Sequence, residues 1–221
     1  MADAKGFGVS RPVRRRTVTR AFAGETAKHA LEDAGWGAGR ECFGFNKGQF
    51  SFVDLIEAAC AFTGPVHATI ATWTAAVADM SRIDAWLKRQ DLLSVQWLVD
   101  YSFETRQPAF CTQLRETFGD ECIRTTASHA KFVLMRNDDW SVVIQSSMNL
   151  NQNKRLENFW IADDAELFAA FAGLVVEVFD IQPPGTGFGD KPAVRRAEFG
   201  ALGEGQKSSF FNVTSGADLL R

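Results

Sequence analysis

Segments with a strand pattern and segments with helical spacing alternate through the middle of this chain. In chain order they are helix 52–62, strand 66–74, helix 75–90, strand 94–102, helix 108–119 and strand 122–128. A helix between two strands carries the chain back to the starting edge of a sheet, so the strands can lie parallel. The alternation therefore predicts an α/β layered domain in which helices cover a sheet.

A β-hairpin follows these units. Residues 131–137 and 140–147 both have a strand pattern, and an Asp-Asp turn separates them. Residues 158–164 form a last predicted strand, and residues 165–179 form a last predicted helix. A hairpin added to strands that alternate with helices gives a mixed β-sheet flanked by helices.

The two ends of the chain differ from this central part. Residues 1–40 are polar and include the stretch RPVRRRTVTR, which has no acid and contains Arg11, Arg14, Arg15, Arg16 and Arg20. Residues after Asp180 are rich in Pro and Gly. We therefore expect a basic N-terminal arm (1–40) whose arginines bind nucleic acid, a domain (41–180) and a C-terminal tail (181–221). For the arm taken alone, a solvated terminus is the alternative.

Composition argues against several classes of site. The four cysteines form no C-x-x-C pair and the three histidines are spread along the chain, so we expect no metal or other cofactor. Reduced thiols fit a cytoplasmic protein. The charged N-terminus lacks the apolar run of a signal peptide, and no apolar stretch is long enough to cross a bilayer, so no membrane partner is expected.

The chemistry-bearing residues cluster around the hairpin. His129 and Lys131 are two residues apart on the predicted strand that leads into the hairpin, so we expect both on one face. Ser147 and Asn149 have the same spacing just after its second strand, and Glu157 follows a short polar loop. Because the hairpin pairs its two strands, these side chains are predicted to converge at one end of it.

Such a set contains what attack on a phosphodiester requires. A neutral imidazole can act as nucleophile, and an imidazolium can protonate the leaving oxygen. Lys131, Asn149 and Ser147 can donate hydrogen bonds to the phosphate oxygens. Glu157 can accept a hydrogen bond from the second imidazole nitrogen and so fix the tautomer of His129.

The order HxK, hairpin, SxN and a following Glu resembles the phospholipase D superfamily, whose pattern is HxKxxxxDxxxxxxGSxN. The resemblance implies a metal-independent reaction through a phosphohistidine. It implies that His129 is the nucleophile, that Lys131 and Asn149 are phosphate ligands, that Ser147 is a supporting donor and that Glu157 orients His129. It also implies a phospholipase D-like layered α/β domain with a mixed sheet flanked by helices, extended at both termini.

The motif departs from the family pattern at three points. Arg136 stands where the family has Asp, Ser146 stands where it has Gly, and the hairpin is longer. A branch similar to tyrosyl-DNA phosphodiesterase also lacks the Asp and keeps the His, Lys and Asn. We therefore interpret the sequence as a variant of the motif.

The motif occurs once, although the family mechanism uses two histidines. A twofold interface places the same residue of two copies on opposite sides of its axis. The sequence therefore predicts a homodimer in which two His129 side chains complete one active site.

Together these features predict a nuclease-like phosphodiesterase acting on DNA in preference to RNA. A phospholipase D-like protein that binds DNA or has a structural role without turnover is the alternative, favoured by Arg136 and the two tails. An assembly component acting through the tails has no positive support. Trp73, Trp86, Trp97 and Trp160 match buried faces, whereas Trp140 follows the hairpin turn, where an exposed indole can stack on a base.

Overall fold

The computed structural model describes residues 26–151 and 154–190, and residue 194. Its strands are β1 (Glu41–Asn46), β2 (Val66–Thr72), β3 (Leu92–Asp100), β4 (Ile123–Thr126), β5 (Phe132–Arg136), β6 (Ser141–Ser146) and β7 (Glu157–Asp163). Its helices are α1 (Ala27–Asp33), α2 (Phe52–Thr63), α3 (Val77–Arg89), α4 (Phe103–Arg106), α5 (Pro108–Phe118) and α6 (Ala165–Ile181).

The strands form one seven-stranded sheet in the order β1-β7-β6-β5-β2-β3-β4. β2, β3 and β4 run parallel, since α3 and α5 connect them, and β5, β6, β7 and β1 pair antiparallel. The two halves join where β2 pairs antiparallel with β5. The predicted α/β fold with a mixed sheet flanked by helices is confirmed.

The strand ends form an upper and a lower edge of the sheet. The upper edge is where the strands end or begin at Thr72, Thr126, Phe132, Ser146 and Glu157. At the lower edge, β2 begins beside the end of β5, and β6 begins beside the end of β7. The loop between β4 and β5, which contains His129, lies at the upper edge.

Each face of the sheet has its own hydrophobic core. Residues of α1, α2, α3 and α5 pack on one face, together with Val133, Met135 and other strand residues. α6 packs on the other face against Phe132 and Leu134. Successive strand residues point to opposite faces, so β5 is apolar at every position between its ends. None of the described helices is long and apolar enough to span a bilayer.

β3 ends two residues before the end of the predicted strand, and a helix within residues 1–40 packs on the central part of the chain. β3 ends at Asp100, because its carboxylate accepts hydrogen bonds from the backbone and hydroxyl of Ser102 and starts a turn before α4. α1 packs on α2, and Leu31 and Trp36 are buried in the core. The five arginines at positions 11–20 lie outside the described residues, as does most of the predicted tail.

A capping box fixes the start of α2. The Ser51 hydroxyl accepts a hydrogen bond from the Asp54 backbone N–H at 3.2 Å, and the Asp54 carboxylate accepts one from the Ser51 N–H at 2.7 Å. The side chains of Ser51 and Asp54 are thus used to cap the helix.

Replacing Ser51 with Ala should lower the free energy of unfolding by about 1 kcal/mol, because an orphan N–H of α2 loses its acceptor. Denaturant unfolding followed by circular dichroism measures the change. Ser81→Ala is the matched control, since Ser81 is exposed within α3. Equal unfolding midpoints for the two variants would contradict a stabilising cap.

Candidate active site

His129 and Lys131 lie together at the upper edge, in the loop that precedes β5. The Lys131 ammonium is 2.8 Å from Nδ1 and 3.3 Å from Nε2 of His129, and donates to the His129 carbonyl oxygen at 2.8 Å. His129 is exposed. An anion bound at the imidazole would therefore also contact the ammonium group.

The environment of Lys131 acts on its charge in two ways. Burial lowers the pKa of Lys131 from its ordinary value, whereas the nearby negative charge of Glu157 acts to raise it. The half-buried ammonium is therefore less well solvated than a surface lysine. A phosphate oxygen placed at this point would compensate for the lost water.

Ser147 and Glu157 form the second part of the site. The Ser147 hydroxyl donates a hydrogen bond to the Glu157 carboxylate and accepts one from the Asn158 backbone N–H at 3.0 Å. The neighbouring Ser146 hydroxyl donates to the Asn158 carbonyl oxygen at 2.8 Å. These contacts fasten the end of β6 to the start of β7 and hold Ser147 in one orientation.

A cavity of about 770 Å³ opens beside these residues. Its polar lining includes His129, Lys131, Ser147 and Asn158, and its apolar lining includes Phe132 together with Leu167, Phe171 and Leu174 of α6. The cavity thus reaches from the upper edge onto the α6 face of the sheet. Its lining combines a cationic group at the upper edge with an apolar wall.

The predicted site residues do not all line this cavity. His129, Lys131 and Ser147 do, and Glu157 reaches it through Ser147. Asn149 is not among the lining residues, and its Oδ1 is buried without a hydrogen-bond partner in the described part of the chain. Asn158 is a lining amide that the motif did not indicate, although it directly follows Glu157.

Trp73 is a further neighbour of His129. It follows β2 at the upper edge, and its ring centroid lies 5.2 Å from that of His129 at an interplanar angle of 54°. The Arg106 guanidinium stacks 3.6 Å from the Trp73 ring centroid and donates to the Trp73 carbonyl oxygen at 2.7 Å. The sequence indicated Trp73 only as a core residue, because helical and strand patterns do not show which side chains meet at a sheet edge.

Arg106 is itself held in place by the end of β3. Its Nε donates to the Ser102 hydroxyl at 2.8 Å, and its Nη2 lies 3.8 Å from the Asp100 carboxylate. The other carboxylate oxygen of Asp100 accepts from the Ser128 backbone N–H at 3.2 Å. One buried carboxylate thereby connects the residue next to His129 with the arginine that supports Trp73.

The other two histidines are distant from this cavity. His67 lies opposite Arg136 near the lower edge, with Nδ1 2.8 Å from the Ser94 hydroxyl oxygen. That position is roughly 13 Å along β2 from Ala71, which pairs with Phe132 at the upper edge. His29 is exposed on α1. One chain therefore brings one imidazole to the cavity.

None of the four cysteines lines the cavity. Burial raises the pKa of Cys42 to about 11 and, with the nearby charges of Asp91 and Glu57, that of Cys60 to about 12. In the described part of the chain, no three His, Cys, Asp or Glu side chains form a group that could hold a metal ion.

Neither protein-family models nor curated proteins give a match to this chain. Solved structures give matches at 13% sequence identity. Nuc from Salmonella typhimurium, described as a phospholipase D family member, matches 64% of this chain and 94% of its own, with a TM-score of 0.45. NucT from Helicobacter pylori matches 64% and 97%, with a TM-score of 0.48. Polyphosphate kinase from Porphyromonas gingivalis matches 66% and 27%, with a TM-score of 0.47. The phospholipase D family, which the sequence motif resembles, is thus named among these structures.

Proposed function

We propose that this protein is a phosphodiesterase that cleaves nucleic acid, DNA in preference to RNA, through His129 and without a metal. The observation that carries the proposal is the close pairing of the exposed His129 imidazole with the Lys131 ammonium at the mouth of a large cavity. A nucleophile and a cation held this close suit an electrophilic phosphorus whose oxygens carry negative charge.

The reaction proceeds in two displacements. A nitrogen of His129 attacks phosphorus, the new N–P bond forms, and the P–O bond to the leaving nucleoside breaks. An imidazolium gives its proton to the leaving oxygen. Water then attacks phosphorus, gives a proton to the same imidazole and releases the phosphate monoester as the N–P bond breaks. Lys131 holds the non-bridging oxygens, with an amide from Asn149 or Asn158. Ser147 donates its hydroxyl proton to Glu157 and keeps the end of β6 in place beside them.

The imidazole that acts as acid and base comes from a second copy of the chain. His29 and His67 lie away from the cavity, so a second imidazole in the same chain is not within reach. A homodimer with a twofold axis near His129 places two equivalent imidazoles at one phosphate. Each copy then provides a nucleophile or an acid to the shared site.

His129→Ala should reduce cleavage of a labelled oligonucleotide by roughly 1,000-fold or more, since it removes the group that forms the bond to phosphorus. Cleavage by the unaltered protein should persist in EDTA. His29→Ala is the matched control and should retain full activity, because that imidazole is exposed on α1. Activity is followed by gel analysis of the products.

Two outcomes contradict this proposal. Loss of cleavage on chelation would show that a metal carries the reaction. Undiminished cleavage by His129→Ala would assign the nucleophile to another residue. Salt-dependent DNA binding without any cleavage would instead support the binding protein that the sequence left as an alternative.

Mixing the unaltered protein with a threefold excess of His129→Ala, followed by unfolding and refolding together, tests the shared site. Random pairing leaves about a quarter of the unaltered chains in unaltered dimers, so cleavage per unaltered chain should fall to about that fraction. Light scattering at micromolar concentration should give the mass of a dimer. A monomer mass, or activity independent of the excess, would contradict a site built from two copies.

Trp73→Ala should lower kcat by roughly 10- to 100-fold with a small change in KM, because the imidazole loses the ring that limits its orientation. Trp73→Phe should recover most of the activity, since it keeps an aromatic ring beside His129. Steady-state kinetics and a thermal midpoint for each variant separate positioning from unfolding. A change confined to KM, or no recovery with Phe, would refute a positioning role.

A further inference from the structure

We propose that Phe43 and Phe45, an exposed aromatic pair on β1, bind the bases of a single-stranded nucleic acid whose backbone runs into the cavity at His129. The inference rests on the proposed function and specifies its substrate: single-stranded rather than duplex nucleic acid.

The aromatic pair is exposed on an edge strand of the sheet. Each residue is 58% exposed, and the two ring centroids lie 5.3 Å apart at an interplanar angle of 90°. β1 pairs only with β7, so one side of the strand has no neighbouring strand among the described residues. Exposed phenyl rings do not gain the free energy that comes from burying apolar surface. A ligand that covers both rings would provide that gain.

The backbone beneath the aromatic pair is closely packed. Gly44 lies between the two residues, and a Cβ at this position would approach the Phe159 ring to 2.5 Å. Gly44 therefore allows β1 to lie directly on the buried Phe159 side chain. The strand is supported from below while both phenyl rings point outward, which reduces the entropy lost when a base stacks on them.

The aromatic pair lies on the same face of the sheet as the cavity. Phe45 is directly opposite Asn158 in the β1–β7 ladder, and opposite residues of an antiparallel pair share a face. Asn158 lines the cavity together with His129 and Lys131. β1 is three strand positions from β5, about 14 Å, a distance that a few nucleotides of an extended strand can cover.

Charge along the sheet favours a nucleic-acid backbone at the upper edge. Lys47 is exposed directly after β1, and Lys154 and Arg155 are exposed just before β7. The Glu157 carboxylate at this edge accepts a hydrogen bond from Ser147. At the lower edge, by contrast, the exposed hairpin turn carries Asp138 and Asp139. A polyanion is therefore attracted to the edge that holds His129.

The preference for a single strand over a duplex follows from how aromatic side chains bind bases. In a duplex, each base is stacked between its neighbours and paired, so its face is not available to a phenyl ring. In a single strand the faces are free, and stacking on an aromatic side chain contributes to affinity with little dependence on sequence. The aromatic pair can therefore stabilise a bound single strand and adds little to the binding of a duplex.

The test uses the full-length chain with Phe43→Leu and Phe45→Leu together, which keeps apolar side chains but removes the rings. In a His129→Ala background, fluorescence anisotropy measures the Kd for a single-stranded oligonucleotide and for the duplex of the same sequence. We expect single-strand binding to weaken at least about tenfold, as for the loss of one stacked base. Duplex binding should not change. Leu93→Ala, which alters an exposed apolar residue of β3, is the control and should bind both as before.

A second pair of measurements separates this inference from the proposed function. With His129 intact, the double Leu variant should hydrolyse bis(p-nitrophenyl) phosphate at the unaltered rate, since that diester does not reach β1. The double variant Phe43→Trp, Phe45→Trp should retain single-strand binding. If the unaltered chain cleaves nothing, the proposed function fails, and a selective loss of single-strand binding still supports the aromatic pair as a base-binding site.

Three results would overturn the inference. The first is unchanged single-strand binding in the double Leu variant, and the second is an equal loss for duplex and single strand. The third is a change in solution mass at matched concentration, which would identify the aromatic pair as a contact between two copies of the chain.

Discussion

The antiparallel pairing of β2 with β5 is the contact on which the site depends. It joins the parallel part of the sheet to the hairpin part, with Ala71 opposite Phe132 at the upper edge. That register places Trp73, which follows β2, beside His129, which precedes β5. A slip of one residue would turn Phe132 away from the α6 core and out of the cavity wall, so burial on both faces of β5 fixes the register.

The site also depends on a rigid end of the β5–β6 hairpin. The hydroxyl of Ser146 and the hydroxyl and backbone of Ser147 bind the first residues of β7, so β6 does not fray at the point where its side chains enter the cavity. Asp100 has the corresponding role on the other side, through Ser102 and Ser128. Polar groups at the upper edge are thus used for positioning, which leaves the exposed imidazole of His129 and the ammonium of Lys131 for a ligand.

The two faces of the sheet have different consequences for function. The face with the larger core is covered by helices from α1 to α5. On the other face, α6 packs against residues of β2 to β6, and both the cavity beside His129 and the aromatic pair on β1 are accessible on that face. A chain whose sixth helix extended across β1 would retain the imidazole and lose this surface. Coverage of the sheet therefore decides what can approach the site.

The sequence by itself determined the elements from α2 to α6, apart from the short α4, and predicted that His129, Lys131 and Ser147 lie near one end of the hairpin. Strand and helix patterns and the HxK…SxN spacing are local properties, so the sequence alone carries them. Tertiary structure decided the rest. Trp140, a candidate for base stacking after the hairpin turn, packs against Trp36 with 5.6 Å between ring centroids, since α1 and its following loop cover that end of the sheet. The aromatic pair stays exposed because no described strand lies beyond β1. Which amide reaches the cavity, and which aromatic ring adjoins His129, depend on strand order and register, and these long-range pairings are set by packing of the whole domain.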